Sequence, residues 1–101
     1  MTTDLIRYRT QPEKSDENAA LIARVFEELS AAGPSGVRYL VLRMEDGSFF
    51  HLVEGSPADR AALTGLPAFK AFQQGIKDRC AEPPNQKSVT VVGHYRALTS
   101  D

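Results

Sequence analysis

The chain of 101 residues contains one cysteine and no tryptophan. A single cysteine excludes an intrachain disulfide and a metal site built from several thiolates. The 12 basic residues are scattered along the chain, whereas nucleic-acid-binding proteins present a clustered positive surface. No apolar run approaches the length of a membrane span, and the first residues lack the features of a secretory signal. We therefore expect a cytoplasmic protein without nucleic-acid or membrane partners.

The length predicts a single domain over residues 1–101, with its core in residues 5–96. A second hydrophobic core would not fit into a chain of this size. The hydrophobic fraction of 42% is typical of globular proteins, so one packed core is expected.

Periodic apolar patterns predict four strands and two long helices. The strands cover residues 5–9, 37–44, 49–53 and 88–96, and the helices cover residues 13–32 and 67–80. Ser56 and Pro57 predict the start of a short additional helix, and Pro83 and Pro84 end the second long helix. The order β-α-β-β-α-β predicts an α+β fold of the ferredoxin-like type, in which both long helices cover one face of a four-stranded antiparallel sheet.

The central hairpin sets which side chains share a face of the sheet. Asp46 and Gly47 predict a two-residue turn, and counting outward from it places Leu42 opposite His51. The predicted helix-covered face, and hence the pocket side, carries Leu40, Leu42, Met44, Phe49, His51 and Val53. The predicted second face carries Tyr39, Val41, Arg43, Phe50, Leu52 and Glu54. Both faces are largely apolar, although the helices cover only one, so we expect a homodimer formed through the second sheet face.

Several segments resemble those of a known superfamily. They are the Asp46-Gly47 turn, the strand Phe49-Phe-His-Leu-Val-Glu54, the helix start Leu66-Pro-Ala-Phe69 and the stop Glu82-Pro-Pro84. With the order of elements, they resemble the dimeric α/β-barrel proteins, in particular the antibiotic-biosynthesis-monooxygenase-like branch. The resemblance covers residues 5–96. It implies a dimeric α/β barrel with a small-molecule pocket between sheet and helices.

The resemblance says less about activity. It implies a cofactor-independent oxygenase or a related enzyme, but the chain lacks the pocket tryptophan that oxygenases of this branch use. Haem-degrading relatives ligate iron through a histidine on the second helix, and residues 67–80 contain none. His51 and His94 do not form a recognised metal-ligand spacing. We therefore expect neither a metal nor another cofactor.

His51 is the main candidate for chemistry, because an imidazole among apolar residues can act as a general base. The alternative is a buried histidine that only satisfies its hydrogen bonds. The residues predicted to contact a small apolar or aromatic ligand are Tyr39, Leu42, Phe49, Phe69, Phe72 and Tyr95. Three functions remain open at this stage. They are a cofactor-independent monooxygenase acting on a small aromatic or polyketide-like molecule, a non-catalytic small-molecule binder, and a dimeric structural module.

Overall fold

The fold is built on a four-stranded antiparallel sheet in a computed structural model that describes residues 2–97. The strands are β1 (Thr2–Thr10), β2 (Arg38–Arg43), β3 (Ser48–Gly55) and β4 (Cys80–Val89), in the spatial order β2-β3-β1-β4. The helices are α1 (Ser15–Ala32), α2 (Pro57–Thr64), α3 (Pro67–Gln73) and α4 (Ile76–Arg79), and a 3-10 turn (Pro12–Lys14) precedes α1. This arrangement confirms the predicted ferredoxin-like α+β fold. None of the described helices has the length and apolar content of a membrane span.

The first two helices form for the reasons that the sequence indicates. Helix α1 buries Ile22 and Val25 against the sheet and ends at Gly33, whose positive φ of 62° allows its N–H to bind the Leu29 carbonyl. Helix α2 begins at the predicted N-cap, where the Ser56 side chain accepts a hydrogen bond from the backbone N–H three residues later.

The single helix predicted for residues 67–80 is wrong. Helix α3 ends at Gln73, because Gln74 is extended and Gly75 adopts a left-handed conformation with φ of 81°. The four-residue helix α4 then leads into β4. This break turns the chain so that the side chain of Arg79 enters the protein interior.

The loop of the central hairpin contains three residues instead of the predicted two. Met44 and Ser48 form the closing pair, since the Met44 N–H donates to the Ser48 carbonyl at 2.8 Å. The Asp46 carboxylate accepts from the Ser48 N–H at 2.9 Å, and Gly47 has a φ of 89°. The turn residues were therefore identified correctly, but one additional residue belongs to the loop.

The extra loop residue turns every side chain of β2 to the other face. Val41, and not Leu42, lies opposite His51. Tyr39 and Val41 therefore join the helix-covered face, while Leu42 lies on the open face with 45% of its surface exposed. The predicted position of Leu42 on the pocket side of the sheet is therefore wrong. The prediction for β3 was right, because Phe49, His51 and Val53 are buried beneath the helices.

The last strand lies earlier in the chain than predicted, at Cys80–Val89 instead of residues 88–96. Pro83 and Pro84 are part of it, which is tolerated because β4 is an edge strand. They stand opposite Tyr8, where the register with β1 shifts by one residue and forms a bulge. The prediction used the two prolines to end a helix, but prolines do not exclude a strand at the edge of a sheet.

The core lies between the helix-covered face and helices α1 to α3. Its buried hydrophobic residues are Tyr8, Ile22, Val25, Phe49, Val53, Leu63, Ala68, Phe69 and Phe72. Phe49 is 1% exposed and stacks on Tyr8 with 5.5 Å between the ring centroids. Aromatic packing therefore joins the two central strands to the helices.

We predict that Phe49→Ala lowers the free energy of unfolding by about 3–5 kcal/mol, because it removes a fully packed ring and leaves a cavity. Urea denaturation measures the change. Tyr95→Ala is the matched aromatic truncation, and it should have little effect because Tyr95 is 85% exposed. Equal losses in the two variants would show that Phe49 does not anchor the core.

Candidate functional site

A cavity of about 360 Å³ lies between the sheet and helices α2, α3 and α4. Its apolar wall includes Ile6, Val53, Leu63, Phe69, Phe72 and Ile76, and its polar end is formed by Tyr8, Tyr39 and His51. The exposed residues Gln73 and Gln86 also line it, so the cavity reaches the surface there. The volume lies in the range of small-molecule sites, about 300–1,000 Å³.

Two tyrosines bind the two ring nitrogens of His51. The Tyr8 hydroxyl lies 2.8 Å from Nε2, and the Tyr39 hydroxyl lies 2.6 Å from Nδ1. Strands β1, β2 and β3 each supply one of these three side chains, because their residues lie side by side on the helix-covered face. A ligand in the cavity therefore meets an imidazole whose two nitrogens are already hydrogen-bonded.

The hydrogen bonds continue behind Tyr8 into the helices. Asn18 of α1 donates through Nδ2 to the Tyr8 hydroxyl at 2.8 Å, and Arg79 donates through Nε to Asn18 Oδ1 at 2.9 Å. Arg79 also donates to the backbone carbonyls of Phe72 and Gln74. We call the sequence of contacts Arg79–Asn18–Tyr8–His51–Tyr39 the buried chain. Its first four members are at most 4% exposed.

Burial keeps the titrating groups of the buried chain neutral at neutral pH. Desolvation lowers the pKa of His51 to about 4 and raises the pKa of both Tyr8 and Tyr39. Arg79 carries the only charge in the buried chain. No carboxylate among residues 2–97 forms an ion pair with it.

A second cation lies at the rim of the cavity. Arg60 of α2 is ion-paired with Asp4 of β1 and also donates to the carbonyls of Val53 and Gly55. The hydrogen bond from Arg60 is the main cause that lowers the pKa of Asp4. This pair connects α2 to β1 at the rim of the cavity.

The structure brings together four of the seven residues predicted for the site. Tyr39, His51, Phe69 and Phe72 line the cavity. Three predicted residues do not line it. Phe49 is packed in the core behind Tyr8, Leu42 lies on the open sheet face, and Tyr95 lies beyond β4 and is 85% exposed.

Sequence reasoning missed Tyr8, Asn18 and Arg79. Each is a polar residue at a position where the repeat of a buried face predicts a hydrophobic one. Tyr8 follows Ile6 by two residues on β1 and shares its face of the sheet. Asn18 precedes Ile22 by one helical turn, and Arg79 follows the aromatic stripe of α3. A polar side chain at such a position must find a partner in the interior, and that requirement was the available signal.

Within the part of the chain that the structure describes, no three histidine, cysteine or acidic side chains come together in a way that could hold a metal ion. Cys80 has a free thiol whose pKa is raised by burial.

Comparison with known proteins connects this geometry to solved structures. No protein-family model matches the sequence, and no curated protein matches it. A candidate antibiotic biosynthesis monooxygenase from Nitrosomonas europaea superposes with a TM-score of 0.74 at 15% identity, over 92% of this chain and 100% of that one. A candidate antibiotic biosynthesis monooxygenase from Caulobacter crescentus superposes with a TM-score of 0.73 at 19% identity, over 91% of this chain and 90% of that one. A further antibiotic biosynthesis monooxygenase superposes with a TM-score of 0.72 at 14% identity, over 92% of this chain and 100% of that one.

The chain shares its fold with these antibiotic biosynthesis monooxygenase structures. The resemblance noted in the sequence is thereby confirmed at the level of the fold. Each of these structures matches 91% or 92% of this chain.

We predict that His51 makes the protein less stable in mild acid. The folded protein binds a proton at His51 only below a pKa of about 4, whereas the unfolded chain binds one below about 6.5. The contribution to stability is therefore fully present above pH 6.5 and is lost as the pH falls toward 4. Urea denaturation should show a loss of about 2 kcal/mol between pH 7 and pH 5.

His51→Gln is the control for this pH dependence, since glutamine has a similar polarity and does not titrate. The slope between pH 7 and pH 5 should be nearly absent in that variant. A slope that persists unchanged would assign it to another group.

Proposed function

We propose that the protein is a cofactor-independent monooxygenase that acts on a small aromatic or polyketide-like molecule. The observation that supports this most is the cavity of about 360 Å³, which combines an apolar wall that includes Phe69 and Phe72 with the Tyr8–His51–Tyr39 cluster. An aromatic ring packs against Phe69 and Phe72, and one substrate oxygen meets Tyr39. The fold that the chain shares with candidate monooxygenases supports the same assignment.

The proposed reaction begins when an acidic CH₂ group of the substrate loses a proton to solvent water at the open side of the cavity, which leaves a carbanion. The electron pair of the resulting carbanion forms a carbon–oxygen bond with O₂, and the peroxide so formed takes up a proton. Loss of water then leaves a carbonyl group. A CH₂ group and O₂ thus give C=O and H₂O, and the balance requires no further oxidant or reductant.

The protein contributes to this reaction by stabilising the negative charge that develops on the substrate oxygen. His51 acts on the substrate through the Tyr39 hydroxyl, because both of its ring nitrogens are hydrogen-bonded to tyrosines. With a pKa of about 4, His51 is a weak base, so the geometry favours this indirect role over direct removal of a proton. A hydrogen bond placed where charge develops lowers the barrier most in a water-poor site.

We predict that Tyr39→Phe reduces oxygen consumption by about 10²–10³-fold, because it removes the hydroxyl that meets the substrate oxygen. An oxygen electrode measures the rate on a panel of hydroxylated aromatic molecules under air. Tyr95→Phe removes a matched hydroxyl outside the cavity and should leave the rate unchanged. Equal rates in the two variants would exclude Tyr39 from the reaction.

A non-catalytic small-molecule binder is the second candidate, and one observation favours it. His51 has a low pKa, and both of its ring nitrogens are hydrogen-bonded, so it can help to orient a ligand without exchanging a proton. Saturable binding of the same panel without oxygen consumption would support this alternative.

We also propose that two copies form a homodimer through the open face of the sheet. The helices pack on the other face, and this one carries Leu5, Leu40, Leu42, Phe50 and Leu52. All five retain partial exposure. A contiguous apolar patch of this kind marks an association surface. Val41, which the sequence had assigned to this face, lies on the helix-covered one.

We predict that Leu52→Asp weakens the homodimer by at least about 100-fold, because the interface would bury a carboxylate without a partner. Sedimentation velocity at micromolar concentration measures the association. Ala20→Asp, on the exposed surface of α1, is the matched control and should not affect it. A monomeric wild-type protein, or a Leu52→Asp variant that stays dimeric, would refute the proposed interface.

A further inference from the structure

The buried chain has a direction, because it begins on a residue that can only donate. The guanidinium of Arg79 has no acceptor atom, so the contact at 2.9 Å fixes Asn18 Oδ1 toward Arg79. The amide nitrogen of Asn18 then faces Tyr8 and donates to its hydroxyl oxygen at 2.8 Å. Because Arg79 can only donate, it determines which end of the Asn18 amide is the oxygen and which is the nitrogen.

The direction passes through Tyr8 to His51. The Tyr8 hydroxyl has one hydrogen, and its oxygen already accepts the hydrogen bond from Asn18. Tyr8 is 2% exposed, and among residues 2–97 His51 Nε2 is the acceptor that its hydrogen can reach. The opposite arrangement would leave a buried O–H without an acceptor, which is unfavourable. His51 Nε2 is therefore the acceptor nitrogen.

A neutral imidazole with an acceptor at Nε2 carries its hydrogen on Nδ1. That hydrogen points to the Tyr39 oxygen, 2.6 Å away. The hydroxyl hydrogen of Tyr39 then has no acceptor among the residues that the structure describes, and Tyr39 lines the cavity. The buried chain thus ends as a hydrogen-bond donor offered to a ligand.

We propose that the cavity selects ligands with a hydrogen-bond acceptor oxygen, namely the carbonyl of an aromatic ketone or the oxygen of an ionised phenol or enol, because Arg79 and Asn18 fix the polarity of Tyr39. This inference rests on the proposed function of the cavity as a ligand site. The positive charge of Arg79 has no carboxylate partner among the described residues, so it favours a negative oxygen at the far end. Arg60, the other cation at the cavity, is paired with Asp4.

Three bicyclic molecules of similar size test the polarity in equilibrium binding. 1-Indanone offers only an acceptor, indole offers only a donor, and indene offers neither. The wild-type protein should bind 1-indanone about 3- to 10-fold more tightly than indene, as expected for one additional hydrogen bond. Indole should bind no more tightly than indene. Tyr39→Phe should remove the differences among the three ligands.

Asn18→Asp is the sharpest variant, because it should reverse the buried chain without changing its shape. A carboxylate accepts from Arg79 and also from the Tyr8 hydroxyl, so His51 must then donate from Nε2 and accept from Tyr39 at Nδ1. Tyr39 would present an acceptor to the cavity, and indole should become the preferred ligand. Asn85→Asp, on the exposed edge strand, is the matched control and should retain the wild-type order.

The tautomer of His51 provides a test that needs no ligand. Nitrogen-15 NMR of the imidazole should show the hydrogen on Nδ1 in the wild-type protein and on Nε2 in Asn18→Asp. The same tautomer in both proteins, or the Nε2 form in the wild type, would overturn the inferred direction. Equal binding of the three molecules to the wild type would overturn the selectivity while the cavity remains a binding site. If none of them binds, both the inference and the proposed function fail.

Discussion

The arrangement of the interior depends on how the Arg79 guanidinium is satisfied away from water. Its hydrogen bonds go to the carbonyls of Phe72 and Gln74 and to the side chain of Asn18. Carbonyls at the end of a helix carry partial negative charge, so the end of α3 provides a neutral counterpart to the cation. The Arg79 carbonyl in turn accepts the N–H of Gln11, in the connection between β1 and α1. One side chain and its backbone thus join β1, α1, α3 and α4.

The site combines this fixed polar interior with an apolar wall. The aromatic side chains provide contact area for a ligand, and the Tyr39 hydroxyl orients it. The second cation, Arg60, is engaged with Asp4 and with backbone carbonyls of β3. Arg60 and Arg79 therefore both have hydrogen-bond partners within the protein.

The fold could be predicted because local patterns agree with it. The stripe on α1, the Ser56 cap and the glycine after α1 each specify their element within a few residues. The pairing of β2 could not be predicted, because the sequence around Asp46 and Gly47 suits loops of two or three residues, and one residue decides the face of a whole strand. The two prolines suggested the end of a helix, and only the position of β4 at the sheet edge makes them compatible with a strand.

The candidate site was half visible in the sequence for a related reason. His51 stood out because it interrupts a run of apolar residues, whereas its partners come from β1, β2, α1 and α4 and meet only in the folded protein. Periodicity assigns a residue to a face but does not say which polar residues on that face touch. Tyr39 was predicted as a ligand contact although the predicted register assigned it to the second sheet face, and the observed register places it on the helix-covered face.

The prolines of β4 have a consequence for how this sheet meets other polypeptides. Pro83 and Pro84 have no N–H group, so the outer edge of β4 cannot form a continuous ladder with an incoming strand. Growth of the sheet by addition of a strand is thereby discouraged at the β4 edge, whereas β2 has the length of an ordinary strand and carries no proline.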